Sequence, residues 1–201
     1  MNDPRFWLLR EALSSYASDP GEPPARETDR LQAAVALLVR GRDELDLLLI
    51  KRARHPDDPW SGHMALPGGR REAHDTSIRE TAIRETREET GVDLGPAMSL
   101  GALPTVSPAS RQLPDLTIHP FVFGVAAETP ARAASLEVEA VHWTPVAELR
   151  RPGAVQRVTV ELPGGSRTFP CFRVGGEVVW GLTYRILTRF LERFPTPPTR
   201  R

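Results

Sequence analysis

The chain has 201 residues, enough for one domain with terminal extensions and a sizeable buried core. Its 26 basic and 26 acidic residues cancel, which excludes the basic excess of a general nucleic-acid binder. A single cysteine, Cys171, excludes an internal disulfide, fits a reducing compartment and reads as a small buried apolar side chain. No apolar run is long enough to span a bilayer, and the N-terminus lacks the basic-then-apolar layout of a signal peptide, so the expectation is a soluble, cytoplasmic protein without membrane contact.

In chain order, Phe6 to Tyr16 predicts a short amphipathic helix with Phe6, Leu9 and Leu13 on one face. Asp19-Pro20-Gly21-Glu22-Pro23-Pro24 breaks it and makes a linker, so residues 1–30 stand apart from a main domain over 31–194. Ala33 to Val39 and Leu45 to Lys51 are apolar runs separated by Gly41-Arg42-Asp43, a hairpin. His55 to His63 reads as a polar loop, and Pro67-Gly68-Gly69 as a tight turn. The following helix, capped by Asp75 or Thr76, runs to Thr90 with Gly91 as its C′ residue. Leu100 to Leu103, Thr117 to Val125 and Val138 to Trp143 are strands. The stretch Pro104 to Pro114 is too rich in Pro and Ser for regular structure, and Pro145 to Leu149 is a turn of helix. Val155 to Leu162 and Thr168 to Val174 make a second hairpin around Pro163-Gly164-Gly165. Thr183 to Phe194 closes the domain as a helix, with Ile186, Leu187, Phe190 and Leu191 at helical spacing, and residues 195–201 form a tail. This alternation points to an α/β sandwich.

The chemistry is concentrated between Arg84 and Val92, which read Arg-Glu-Thr-Arg-Glu-Glu-Thr-Gly-Val. On a helix Glu85, Glu88 and Glu89 fall at i, i+3 and i+4, so three carboxylates share one face and repel one another unless a positive charge sits among them. Arg84 and Arg87 supply part of that charge; a hard divalent cation bound by carboxylate oxygens supplies it better. A solvated helix face laced with Glu and Arg pairs is the other reading of the string alone, and the Gly-Gly turn before it and the Thr-Gly stop behind it favour the cation.

This arrangement resembles the Nudix box, the signature of hydrolases that cleave a diphosphate linked to another group. Gly69, Arg84, Glu85, Glu88, Glu89, Gly91 and Val92 fit the pattern. Asp75 stands where the first Glu is expected, the spacer to Arg84 is one residue longer, and Thr86 replaces an aliphatic residue. The first two departures, with Thr81-Ala82, Glu137-Val138 and Val179-Trp180-Gly181-Leu182-Thr183, are similar to the coenzyme A pyrophosphatase-like branch. Its recognition motif before the box is matched by Leu48-Leu49-Ile50-Lys51-Arg52-Ala53 and Gly62, while Asp58, Ile50 and Leu66 depart from it.

The resemblance implies a Nudix-type α/β/α sandwich with a mixed β-sheet between helices. It implies Mg2+ or Mn2+ held by Glu85, Glu88, Glu89 and the Gly69 carbonyl, with Arg84 fixing a glutamate in place and Glu80 as a further partner of Arg84. The general base is Glu88 or Glu89, or a carboxylate from a later strand, Glu137 or Glu139, of which Glu139 is taken. Arg52, Arg54, His63, Gly68 and Gly69 are the substrate contacts, with His55, Trp60 and Arg111 as further candidates; Trp143 and Trp180 read as core. The implied substrate is coenzyme A or a derivative, cut to 3′,5′-ADP and a 4′-phosphopantetheine compound. A hydrolase of ADP-ribose, NADH or a dinucleoside polyphosphate is the runner-up, and a non-catalytic Nudix binding module a third reading. The resemblance also admits a homodimer.

Overall fold

Strand β1 (Leu31–Gly41) is apolar on both sides, and that decides the architecture. Ala34, Ala36 and Leu38 join one buried cluster, while Ala33, Leu37 and Val39 join another, sorted by the two-residue period of a strand. A strand covered twice belongs at the centre of a sheet. The computed structural model describes residues 3–14, 31–55, 61–95, 97–108, 115–162 and 165–194. In it β1 lies between β2 (Leu45–Arg52) and β6 (Leu116–Val125), with β3 (Met64–Ala65) beyond β2 and β5 (Met98–Ala102) beyond β6. Two further strands complete the seven: β4 (Gly68–Arg70) pairs with β1, and β7 (Val138–Pro145) with β2. The β1–β6 pair is parallel and the other pairs antiparallel, so the sheet is mixed, as expected.

Helix α2 (Ile78–Thr90) covers one face with Ile78 and Ala82. The other face is covered by α1 (Pro4–Ser14) through Phe6, Leu9 and Leu13, α3 (Val146–Arg150) through Val146 and Leu149, and α4 (Gly181–Arg193) through Ile186, Leu187 and Phe190. Apolar side chains at three- and four-residue spacing give each longer helix one stripe to bury, and the sheet offers the matching surface. Cys171 is free and buried.

Three features differ from the sequence expectation. Residues 68–70 form β4 instead of a tight turn only, pairing Gly68 with Val35 and Gly69 with Ala34. Helix α2 is capped by Ser77, whose hydroxyl accepts the Glu80 N–H at 3.2 Å, and not by Asp75 or Thr76; Gly91 does end it, at φ 69°. The second hairpin, β8 (Val155–Leu162) and β9 (Gly165–Val174), gains a third strand β10 (Glu177–Trp180) to make a separate antiparallel sheet in the order β10-β9-β8. Gly175 and Gly176, both at positive φ, turn the chain so that Glu177 opposes Val174, and Val179-Trp180 end β10 directly before α4, which begins at Gly181 instead of Thr183. The linker at 19–24, Asp58, Trp60, Arg111, the turn residues Pro163 and Gly164 and the tail lie outside the described residues.

Candidate active site

Arg84 organises the site through Asp75. The Asp75 side chain is 2% exposed and ends in four hydrogen bonds: Arg84 Nε at 2.9 Å, Arg84 Nη2 at 3.1 Å, the Thr81 hydroxyl at 2.9 Å and the Glu72 N–H at 2.9 Å. Burial alone would raise its pKa, but the Arg84 guanidinium and the other donors hold it well below the usual carboxylate range. Asp75 in turn raises the pKa of Arg84 and fixes the guanidinium plane by a bidentate grip. Nη1 is thereby aimed at the box, 3.0 Å from Glu85 Oε1 and 3.1 Å from Glu88 Oε2. The longer spacer still brings Asp75 to Arg84. The other departure, Thr86, is buried and satisfied inside the helix, its hydroxyl donating to the Ala82 carbonyl at 2.7 Å. Glu80, expected beside Arg84, is exposed, and the acidic partners of Arg84 are Glu72, Asp75, Glu85 and Glu88.

Strand β4 meets these carboxylates from the other side. The Gly68 N–H donates to Glu89 Oε2 at 2.9 Å. A Cβ on Gly68, which stands at positive φ, would collide with the Ala34 carbonyl of β1, and one on Gly69 would displace the Glu85 carboxylate. Burial pushes Glu89 up to about 8, opposed by the Gly68 N–H and Arg52 and assisted by the charges of Glu85 and Glu137. Burial also raises Glu85, against the pull of Arg84.

The donor chemistry fits a hard divalent cation: three carboxylates on one helical face, two of them withdrawn from water and raised in pKa by burial, with further help from neighbouring carboxylates. Among the described residues no three acidic or imidazole groups already converge on one point. The contacts explain this. Arg84 Nη1 bridges Glu85 and Glu88, and Glu89 is turned to Gly68.

Glu137 and Glu139 are separated by a bulge. The β2–β7 ladder pairs Lys51 with Ala140 and Arg52 with Val138, leaving Glu139 as the extra residue, while Glu137 lies in the turn before the strand. Glu139 pairs with Lys51 at 3.0 Å, and Lys51 also meets Glu177 at 2.8 Å. Glu137 is the one whose charge reaches Glu85 and Glu89. Two glutamates flanking one valine look alike in the sequence, and the irregular ladder gives them different surroundings.

Of the expected substrate contacts, Arg52 and His63 are brought together by backbone bonds, Arg52 N–H to the His63 carbonyl and Gly62 N–H to the Arg52 carbonyl, both at 3.0 Å. The His63 ring meets Trp180 edge-on with centroids 5.2 Å apart, beside a cavity of about 400 Å3 that β8 lines on its far side. Arg54 is exposed and lies over Gly62; His55 is exposed and its carbonyl accepts the Ser61 hydroxyl. Trp143 and Trp180 are half-buried, Trp143 under the Arg40 guanidinium at 4.2 Å. No helix among the described residues is long and apolar enough to cross a membrane.

Residues 29–161 match the family described as NUDIX domain. The Nudix hydrolase NudL of Salmonella dublin is 30% identical over 194 residues, covering 96% of this chain and 93% of the relative. A protein of Schizosaccharomyces pombe is 33% identical over 186 residues, covering 81% of this chain and 55% of the relative, so the chain spans about half that protein's length. A MutT/nudix family protein from Enterococcus faecalis has the same fold, with a TM-score of 0.58 at 23% identity over 94% of this chain and 72% of that one.

Proposed function

The chain belongs to the Nudix family and is by that membership a Nudix-type pyrophosphohydrolase, and from this premise we propose that it hydrolyses the diphosphate linkage of coenzyme A or a derivative, with Mg2+ or Mn2+ as cofactor. The observation that carries the metal-dependent chemistry is the burial of Glu85 and Glu89 against the glycines of β4, beside an Arg84 aimed by Asp75. Coenzyme A as substrate rests on the branch motif from Leu48 to Ala53, on Gly62 and on the Val179 to Thr183 segment.

Glu85, Glu88, Glu89 and the Gly69 carbonyl would hold the cation. When bound it supplies charge neutralisation on the phosphate oxygens and activates the attacking water. Arg84, kept charged and planar by Asp75, orients Glu85 and Glu88. Gly68 holds Glu89 through its N–H. The proton from the attacking water goes to Glu88 or Glu89, or to Glu137, which takes the place given to Glu139 on sequence grounds because its charge acts on the box and Glu139 serves Lys51. Arg52 pairs with a phosphate, while Arg54 and His63 border its path. The protein acts on a small molecule, without nucleic acid or membrane, in the cytoplasm.

The test is incubation with magnesium and a panel of coenzyme A, ADP-ribose, NADH and diadenosine polyphosphates, with the products identified. Coenzyme A is expected to give 3′,5′-ADP and 4′-phosphopantetheine. Turnover of ADP-ribose with coenzyme A untouched would overturn the branch assignment, and no turnover of any compound would leave a binding module.

A further inference from the structure

The three-stranded sheet ends in an open edge, and the sequence of that edge is complementary to itself. Strand β8 is paired on one side by β9, in register from Val155↔Phe172 to Leu162↔Gly165, and among the described residues no other element packs extensively along it. An edge strand of eight residues offers a row of backbone donors and acceptors to any second strand. Charged residues blunt such an edge against strangers, but their order here favours one partner.

We propose that the chain forms a twofold-symmetric homodimer through β8, joining two three-stranded sheets into one of six. In an antiparallel pair with Thr159 on the axis, Thr159 faces its own counterpart and Val158 faces Val160 of the partner subunit. Arg157 then faces Glu161 of the partner subunit, and by symmetry every off-axis pair occurs twice. β-branched residues meet β-branched residues, and opposite charges meet. Moving the axis to Arg157 or Glu161 would set like charges against each other, and moving it to Val158 or Val160 would leave Arg157 without Glu161. The sequence around Thr159 therefore specifies one register. Arg157, Thr159 and Glu161 are all exposed, and the Ser166 hydroxyl of β9 holds one oxygen of Glu161, which fixes that carboxylate. Val158 and Val160 also line the cavity beside His63 and Trp180, so the pairing steadies one wall of it.

The experiment is light scattering of the full chain across a concentration series, with cross-linking through an introduced cysteine. The wild type is expected at twice the 22.3 kDa chain mass. Arg157→Glu and Glu161→Arg each weaken the dimer by tenfold or more in dissociation constant, and the double variant restores it. Thr159→Cys, at the axis, forms a disulfide-linked dimer on mild oxidation. Thr168→Cys on β9, paired with Thr159 and about 14 Å from its copy across three strand spacings, does not. A wild type that stays at 22.3 kDa up to its solubility limit overturns the proposal. So does a dimer that is indifferent to both charge reversals and does not cross-link through Thr159→Cys, since it uses another surface.

Discussion

Two cations in this molecule each face more than one carboxylate, and the comparison shows what an excess of negative charge means. Arg84 meets Asp75, Glu85 and Glu88, and Lys51 meets Glu139 and Glu177. Around Lys51 the acids are partly exposed, at 47% and 34%, so water screens them and the arrangement is self-sufficient. Around Arg84 one acid is sealed at 2% exposure and spent on positioning the guanidinium, and Glu85 and Glu89 are withdrawn from water with their pKa values raised. A buried surplus of carboxylates is unfavourable until another cation joins them; an exposed one is not.

The sharpest way to break this contrast is to neutralise acids on each side. Glu89→Gln or Glu85→Gln is expected to lower kcat by about a thousandfold, because the charge stabilisation at stake amounts to several kcal/mol. Glu139→Gln is expected to leave kcat at the wild-type level, and Glu137→Gln to lower it; equal rates for the two single variants would return the base to the box helix. Arg84→Lys keeps the charge but loses the fork that grips Asp75 while touching Glu85 and Glu88. A loss of about 10- to 100-fold in metal affinity or activity follows, read by metal titration beside the rate assay.

Asp75→Asn tests stability more than rate. Its folded pKa is depressed below the ordinary value of 3.8, so its contribution is present above that pH and is lost as pH falls below it. The variant is expected to lose about 2 kcal/mol near neutral pH and to show a flatter acid limb in denaturant melts. Glu89 carries the opposite sign. Raised from 4.5 to about 8, it makes the cation-free chain lose stability as pH climbs through that interval, and Glu89→Gln removes this slope. Smallest of all, Lys51→Met is expected to leave both the melting midpoint and the rate close to wild type.

The parts legible in the sequence were those fixed by local spacing. Glu85, Glu88 and Glu89 share a face because a helix has its period, and the apolar runs of β1, β2 and β6 announce strands with buried sides. The Gly91 stop and the buried stripe of α4 follow from the same rules. What stayed hidden depends on contacts distant along the chain or on irregular backbone. Asp75 looked like a helix cap because it precedes the helix; only the fold shows it gripping Arg84 nine residues on while Ser77 does the capping. Strand β10 was concealed because Val179 and Trp180 run straight into the helical pattern of α4. Glu137 and Glu139 differ only through a bulge that no periodicity reveals.

Arg84 Nη1 lies between Glu85 and Glu88 while Nε and Nη2 are held by Asp75, so one rigid guanidinium couples the loop ahead of α2 to the acidic face of that helix. It works as a lever with a single fulcrum: a displacement of the Asp75 loop is passed to two glutamates at once. A substitution well outside the helix can therefore disturb its acidic face without touching any glutamate.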